Sequence, residues 1–321
     1  GQLWKKKQKK LQEHFWSKLI KERKASSDRV AIAGYIAEQN LSYEMSDLFL
    51  PVLVTIFPHD KSLGKEDKDL FDYAFLNVLS ELFQDPLFTV EAAMEYRDYN
   101  WMVMLKWNHP PDTGVIETIC TSFIEKANQF LRSDACCSVS ISVALEEINK
   151  SIRILLQMNE DMIKKRNQIV FLEHHSLQET AYAPPPLQDW EALLSGNPAG
   201  FLGETRKYLQ NLAKNGVYNA SVLRLFRLDI VQLVYSYLKG KEIQAHKLYT
   251  GKTNDQLFLQ SLNSIEDMEK YMEYLVSTAA EYHAYADHSH TVVEEIKHYI
   301  QSHYGDELTR TSLAETVYLN P

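Results

Sequence analysis

Cysteine is scarce in this chain, and its placement excludes two chemistries. Of three cysteines in 321 residues, Cys136 and Cys137 are adjacent and Cys120 stands alone, so neither a disulfide framework nor a CxxC metal site can form. The thiols read as small buried apolar groups. Long hydrophobic runs are missing too. The longest strongly apolar stretch, residues 48–58, falls short of the roughly 18–20 residues that cross a bilayer, and the lysine-rich start lacks the apolar centre of a signal peptide. A cytoplasmic protein without a membrane partner is expected. GxSxG, Walker A, GxGxxG, HExxH and EF-hand spacings are also absent. No catalytic residue, cofactor or metal is therefore expected.

What is present is the balance of a soluble globular protein, 45% hydrophobic and 24% charged, with length for two or three domains. The net charge of −9 is unevenly spread. Residues 1–24 carry nine Lys/Arg against two Glu, and the remainder carries 25 against 41. The bulk of the chain is thus no electrostatic match for DNA.

Residues 3–24 space Leu3, Trp4, Leu11, Phe15, Leu19 and Ile20 among basic residues, which predicts an amphipathic helix. Its lysines at 5, 6, 7, 9 and 10 read as a solvated helix face, with membrane anchoring or nucleic-acid contact as alternatives. Leu11, Phe15, Leu19 and Ile20 are the candidate packing face of this connector, against either the next domain or a second protomer. A second helix is expected over 27–40. Then the period changes: residues 50–57 (LPVLVTIF) read as a strand buried on both faces. Helix 65–83, strands 88–96 and 101–107 around a polar turn, helix 113–131, strand 136–143, helix 146–165 and a short strand 169–172 follow. The order β-α-β-β-α-β-α-β predicts one sheet covered by helices, an α/β sandwich of ferredoxin-like or nucleotidyl-cyclase-like type.

Pro184-Pro185-Pro186 can neither continue a helix nor donate to a sheet, and marks the domain boundary. Beyond it every pattern is helical. A helix is expected from Pro198 to Gly216, and residues 220–238 read as a central, largely enclosed helix. Ser264 and Asp267 resemble a capping box for a helix through Met268, Tyr271, Met272, Leu275 and Ala279. Ser289 is expected to interrupt it before a further helix over 292–304, closed by Gly305. Thr309 caps a last short helix through Leu313, Ala314 and Val317.

Three clusters invite a chemical reading. His59-Asp60 follows the first strand and reads as a polar turn. His283, His288 and His290, with Glu281 and Asp287, lack the cysteines of a familiar zinc pattern and read as solvated, as do His174-His175 beside Glu173. The tyrosines and phenylalanine of the helical half, among them Tyr208, Tyr218, Phe226, Tyr249 and Tyr271, read as core more readily than as a ligand pocket.

Residues 293–321 (VEEIKHYIQSHYGDELTRTSLAETVYLNP) resemble the start of an AraC-type DNA-binding domain. In that family a first helix, a Y-x-(D/E)-x-L-(T/S) connection and an LA-x-x-(V/A)-x-(L/M)-(N/S)-P segment precede the recognition helix. The matching residues are Ile296, Ile300, Tyr304, Leu308, Thr309, Leu313, Ala314, Val317, Leu319, Asn320 and Pro321. A helix-turn-helix needs a small residue such as Ala at its tight helix contact and a defined start to its next helix. The resemblance makes Leu313, Ala314, Val317, Asn320 and Pro321 scaffold residues of a partial DNA-binding unit. Upstream, the chain is similar to AraC-type two-component response regulators, whose linker resembles residues 10–23 and whose sheet domain resembles a degenerate GGDEF-type cyclase. A working cyclase needs a Gly-Gly turn and acidic metal ligands at the hairpin; Tyr96-Arg97-Asp98-Tyr99-Asn100 supplies no glycine and a single carboxylate.

The expected organisation is α+β: a linker helix (1–25), a degenerate GGDEF-like α/β domain (26–173), a Pro-rich linker (174–186), an all-α domain (187–288) and a truncated helix-turn-helix (289–321). The resemblance implies a non-enzymatic relay and dimerisation region of a transcriptional regulator. Its implied partners are a sensor histidine kinase acting through a receiver domain, promoter DNA contacted by the intact protein alone, and a second protomer. The alternatives are a small-molecule-sensing module and the cytoplasmic part of a membrane-anchored regulator of the same type.

Overall fold

The computed structural model describes residues 2–22, 28–60, 64–174, 181–215, 219–303, 305 and 308–317. The protein is α+β and divides into two compact units. One is built on residues 1–181 with 212–222 and 264–266, the other on 182–211, 223–263 and 267–321.

The first unit opens with helices α1 (Gln2–Lys21) and α2 (Arg29–Glu38). It continues through β1 (Phe49–Pro58), α3 (Lys65–Leu82), β2 (Phe88–Arg97), β3 (Asn100–Trp107), α4 (Thr113–Phe130), β4 (Ser133–Val139), α5 (Ile148–Asp161) and β5 (Ile169–Phe171). The strands form one mixed sheet in the order β2-β3-β1-β4-β5. Every pairing is antiparallel except β4 with β5. Central β1 is buried along its whole length because both sheet faces are covered. Leu50, Val52, Val54 and Ile56 point into a layer with Phe75 of α3 and Phe123 of α4. Phe49 and Leu53 point into the opposite layer, with Phe15 of α1, Ile32 of α2 and Ile152 of α5. Cys120, Cys136 and Cys137 are free and buried.

Three expected boundaries shift. Asp28 caps α2 by accepting from the Val30 amide at 2.9 Å, so the helix is shorter than 27–40. The fourth strand runs over 133–139 and not 136–143. Beyond Val139 the Ser140 hydroxyl meets that of Ser151 at 2.7 Å, and Val143 keeps only an isolated bridge to Phe49. Helix 146–165 is α5 alone. Met162 turns extended, Met162 and Ile163 are buried, and Asn167 takes a positive φ.

The second unit is helical: α6 (Leu187–Gly196), α7 (Pro198–Lys214), α8 (Ala220–Gly240), α9 (Ala245–Leu248), α10 (Lys252–Gln260), α11 (Ile265–Ser302) and α12 (Arg310–Thr316). Gly216, Tyr218 and His175 lie outside the described residues. Trp190 packs edge-on against Phe201 and Phe226, and Tyr208 stacks on Phe226 with centroids 4.9 Å apart. Burial pushes the Tyr271 hydroxyl up to about 12, and the buried Tyr249 hydroxyl donates to the Leu275 carbonyl. Trp190, Phe201, Phe226, Tyr249 and Tyr271 are core and Tyr208 is half-buried, whereas Tyr235, Tyr282 and Tyr285, expected to be core with them, are exposed.

Two expectations for this half are corrected. Helix α8 is not enclosed: Leu225, Leu228 and Tyr235 face solvent. A mostly apolar helix shows no periodic marker of which side is left uncovered. Ser289 does not interrupt α11, which runs 38 residues without a break. Residues 265–302 contain neither Gly nor Pro, and a serine alone costs a helix only about 0.5 kcal/mol relative to alanine.

Candidate functional site

The predicted connector face packs within the first unit. Phe15 and Leu19 are buried in the layer beneath the sheet, Ile20 packs half-buried against that layer, and Leu11 is half-buried. The deepest residue of α1 is one the expected face omitted. Trp16 is fully buried, edge-on to Phe15 at 5.2 Å and to Phe49 at 5.0 Å. A tryptophan amid lysines, four residues after Gln12 and three before Leu19, was the available sign.

A polar network fixes the helix above this plug. The Trp16 indole Nε1–H donates to Tyr43 Oη at 3.1 Å, and the Gln12 amide donates to the same oxygen at 3.0 Å. Tyr43 in turn donates to Glu91 Oε2 of β2 at 2.7 Å, and Gln12 also bonds that carboxylate. Thr89 donates to the other carboxylate oxygen at 2.6 Å. Burial, reinforced by the Glu91 charge, pushes the Tyr43 phenol well above the ordinary tyrosine range. It therefore stays a donor at physiological pH. At the end of α1, buried Asn149 of α5 donates to the carbonyls of Ile20 at 2.8 Å and Leu19 at 3.3 Å. These carbonyls belong to the last turn, which has no intrahelical partner for them.

Beside this dock, a groove of about 650 Å³ runs between α3 and edge strand β2. Leu76, Phe83, Phe88 and Val90 line it, and Lys9 and Glu13 of α1 stand on its rim.

The β2–β3 hairpin has a different electrostatic character. Tyr99 adopts φ 62°. The Lys68 ammonium of α3 sits 2.8 Å from Glu95 and 2.5 Å from Asp72, and 4.9 Å from the Tyr99 ring centre. Burial opposes its charge, but hydrogen bonds to Asp72 and Glu95 hold it above the ordinary lysine range. Lys68 thus bridges Asp72 of its own helix and Glu95 of β2, offsetting part of their negative charge. His59 contacts Asp134 at 3.1 Å. Burial alone would raise the Asp134 pKa; hydrogen bonds from His59, Asn167 and Arg166 outweigh it and hold the carboxyl low. His283 pairs with Asp287 at 3.1 Å on α11, and His174 lies 3.8 Å from Glu173. Among the described residues no group of three His, Cys, Asp or Glu is placed to hold a metal ion.

At the C-terminal end, Gly305 takes φ 113°. Thr309 then caps α12: its hydroxyl accepts from the Ser312 amide at 3.1 Å, and the Ser312 hydroxyl accepts from the Thr309 amide at 3.1 Å. Ala314 and Val317 are buried and Leu313 is half-buried. Asn320 and Pro321 lie outside the described residues.

No family model, curated protein or solved structure matches the chain. Among the described residues no helix is long and apolar enough to cross a membrane.

Proposed function

We propose that this chain is the internal signal-relay region of an AraC-type two-component response regulator, acting on promoter DNA through a reader unit that begins in residues 293–321. The observation that carries the reading is α12 itself. A glycine of positive φ closes the approach, a reciprocal Thr309–Ser312 box starts a short helix, and Ala314 of that helix and its C-cap Val317 are buried. A capped short helix that buries a small alanine supports reading those residues as the first helix of a helix-turn-helix. The sheet order β2-β3-β1-β4 with antiparallel pairing supports a ferredoxin-like, GGDEF-derived first unit. The hairpin Tyr96-Arg97-Asp98-Tyr99-Asn100, with no glycine and one carboxylate, supports a relay rather than a metal-dependent cyclase. In this reading, α1 receives the signal of an upstream receiver, and release of its plug and Tyr43 network shifts the regulator between two arrangements.

A gel-shift titration tests it. Residues 1–321 should give only weak, salt-sensitive complexes, because base readout belongs to the following helix. The intact regulator should give sequence-selective, salt-resistant ones, altered by Phe15→Asp. A salt-resistant, sequence-selective complex with residues 1–321 alone, or intact protein indifferent to Phe15→Asp, overturns the reading.

A second reading is favoured by the groove between α3 and β2: a trough lined by Leu76, Phe83, Phe88 and Val90 together with Lys9, Glu13 and Glu91 fits a small ligand whose binding biases α1. Ligand-dependent protection of α1 from proteolysis, without phosphorylation, distinguishes it.

A further inference from the structure

An irregularity in edge strand β2 shapes the groove beside it. Val90 lies opposite Leu105 of β3 and Ala92 opposite Met104, so Glu91 is an extra residue with no partner across the ladder, a β-bulge. The alternation of side chains slips there by one: Phe88 and Val90 join the layer of α3 and α4, whereas Ala92 and Met94 join the layer of α1. Glu91 stands where the strand changes face. Its carboxylate thereby reaches Tyr43 and Gln12 and also lines the groove.

Half-buried Leu76, Val90 and Ala93 give the groove its accessible apolar wall, over Leu79, Phe83 and Phe88, which are closed to solvent. Its charges are unbalanced. Three carboxylates, Glu13, Asp85 and Glu91, share the groove with one ammonium, Lys9. Among the described residues none of the three is ion-paired, not even Glu13 with Lys9 one turn before it on α1. Half-buried Glu91 is held by neutral donors alone: Tyr43, Gln12 and Thr89. Taking a carboxylate partly out of water is unfavourable, and a cation beside it offsets that cost more fully than neutral donors do.

We propose that this groove binds a small organic cation with an apolar body, an alkyl- or arylammonium ion, its charge held by Glu91 and Glu13 and its body lying along Leu76, Val90 and Ala93. This rests on the reading of the groove as a small-ligand site and adds the sign of the ligand's charge. The volume of about 650 Å³ lies within the roughly 300–1,000 Å³ of small-molecule sites. An anionic ligand meets three like charges and one exposed lysine; a neutral one leaves Glu91 as it is. Because Glu91 also accepts from Gln12 of α1 and from Tyr43, a cation bound there draws on the same carboxylate that anchors α1.

Titration calorimetry of residues 1–321 with octylammonium, octanoate and octan-1-ol, one chain with three heads, is the test. Octylammonium should bind saturably, about tenfold more tightly than the other two, the difference that one charge-assisted hydrogen bond makes. Glu91→Gln should remove that advantage. Since Glu91 also belongs to the α1 network, Glu13→Gln supplies an arm on an exposed side chain that leaves the fold alone, with an expected loss of about threefold. Ser80→Trp, which fills the groove from an exposed position on α3, should abolish binding with helix content unchanged in circular dichroism. Octanoate or octan-1-ol binding as tightly as octylammonium, and lost in Ser80→Trp, overturns the cation and leaves the small-ligand groove standing. Octylammonium binding indifferent to both Glu91→Gln and Glu13→Gln does the same. No saturable binding by any of the three, or binding indifferent to Ser80→Trp, overturns the proposal and the small-ligand reading together.

Discussion

Helices α1 and α11 are both long, amphipathic and free of internal glycine or proline, yet the first is anchored and the second is half bare. What separates them is not apolar content. Helix α1 places Phe15, Trp16 and Leu19 on a sheet face that must be covered, and two side-chain devices hold it in register: the Gln12–Tyr43–Glu91 network and the Asn149 cap. Helix α11 has such a surface for its first turns only. Amphipathicity alone states that a helix needs a partner; the partner's polar contacts determine whether it stays put.

The contrast is most open to attack at Trp16. Removing a fully buried tryptophan by Trp16→Ala should destabilise the first unit by about 3–5 kcal/mol. Tyr285→Ala should change stability by less than about 0.5 kcal/mol. Urea unfolding monitored by circular dichroism reads both, and equal costs would dissolve the distinction. Next in size, Tyr43→Phe keeps the ring and deletes the hub, leaving the Trp16 Nε1–H and Glu91 without their shared partner, for a loss of about 1–3 kcal/mol. A pH signature accompanies it. The phenol is raised in the folded state, so its stabilisation is complete below the unfolded value of about 10 and drains away as pH climbs above that. The variant should show a shallower alkaline decline than the parent. Smallest is Asn149→Ala, which returns two carbonyls at the end of α1 to solvent at about 1 kcal/mol. Faster amide exchange confined to the last turn of α1 is the expected mark; uniform acceleration across the first unit would mean that α1 has no separate stability.

Much of the first unit was legible because its periods change abruptly. The apolar, β-branched run at 50–57 had the length and composition of a strand covered on both sides, and the polar residues 97–100 fell between two apolar runs as a hairpin does. Phe15 and Leu19 were readable from spacing. Tyr43, Glu91 and Asn149 were not, because their roles arise from partners 27 to 130 positions away in sequence and no local pattern marks them. In the second unit the failures share another cause. Serine at 289 carries only a weak preference against helix, too small to break a helix with favourable neighbours. The open side of α8 could not be foreseen because Leu225 and Leu228 look the same as residues that are buried.

The unbroken course of α11 also has a mechanical consequence. With no glycine or proline to act as a swivel, an added or deleted residue between 280 and 292 turns everything after it by about 100° and shifts it by about 1.5 Å. The helix is a crankshaft. Changes of seven residues restore the angle nearly completely, so length variation there is tolerated by phase rather than by size.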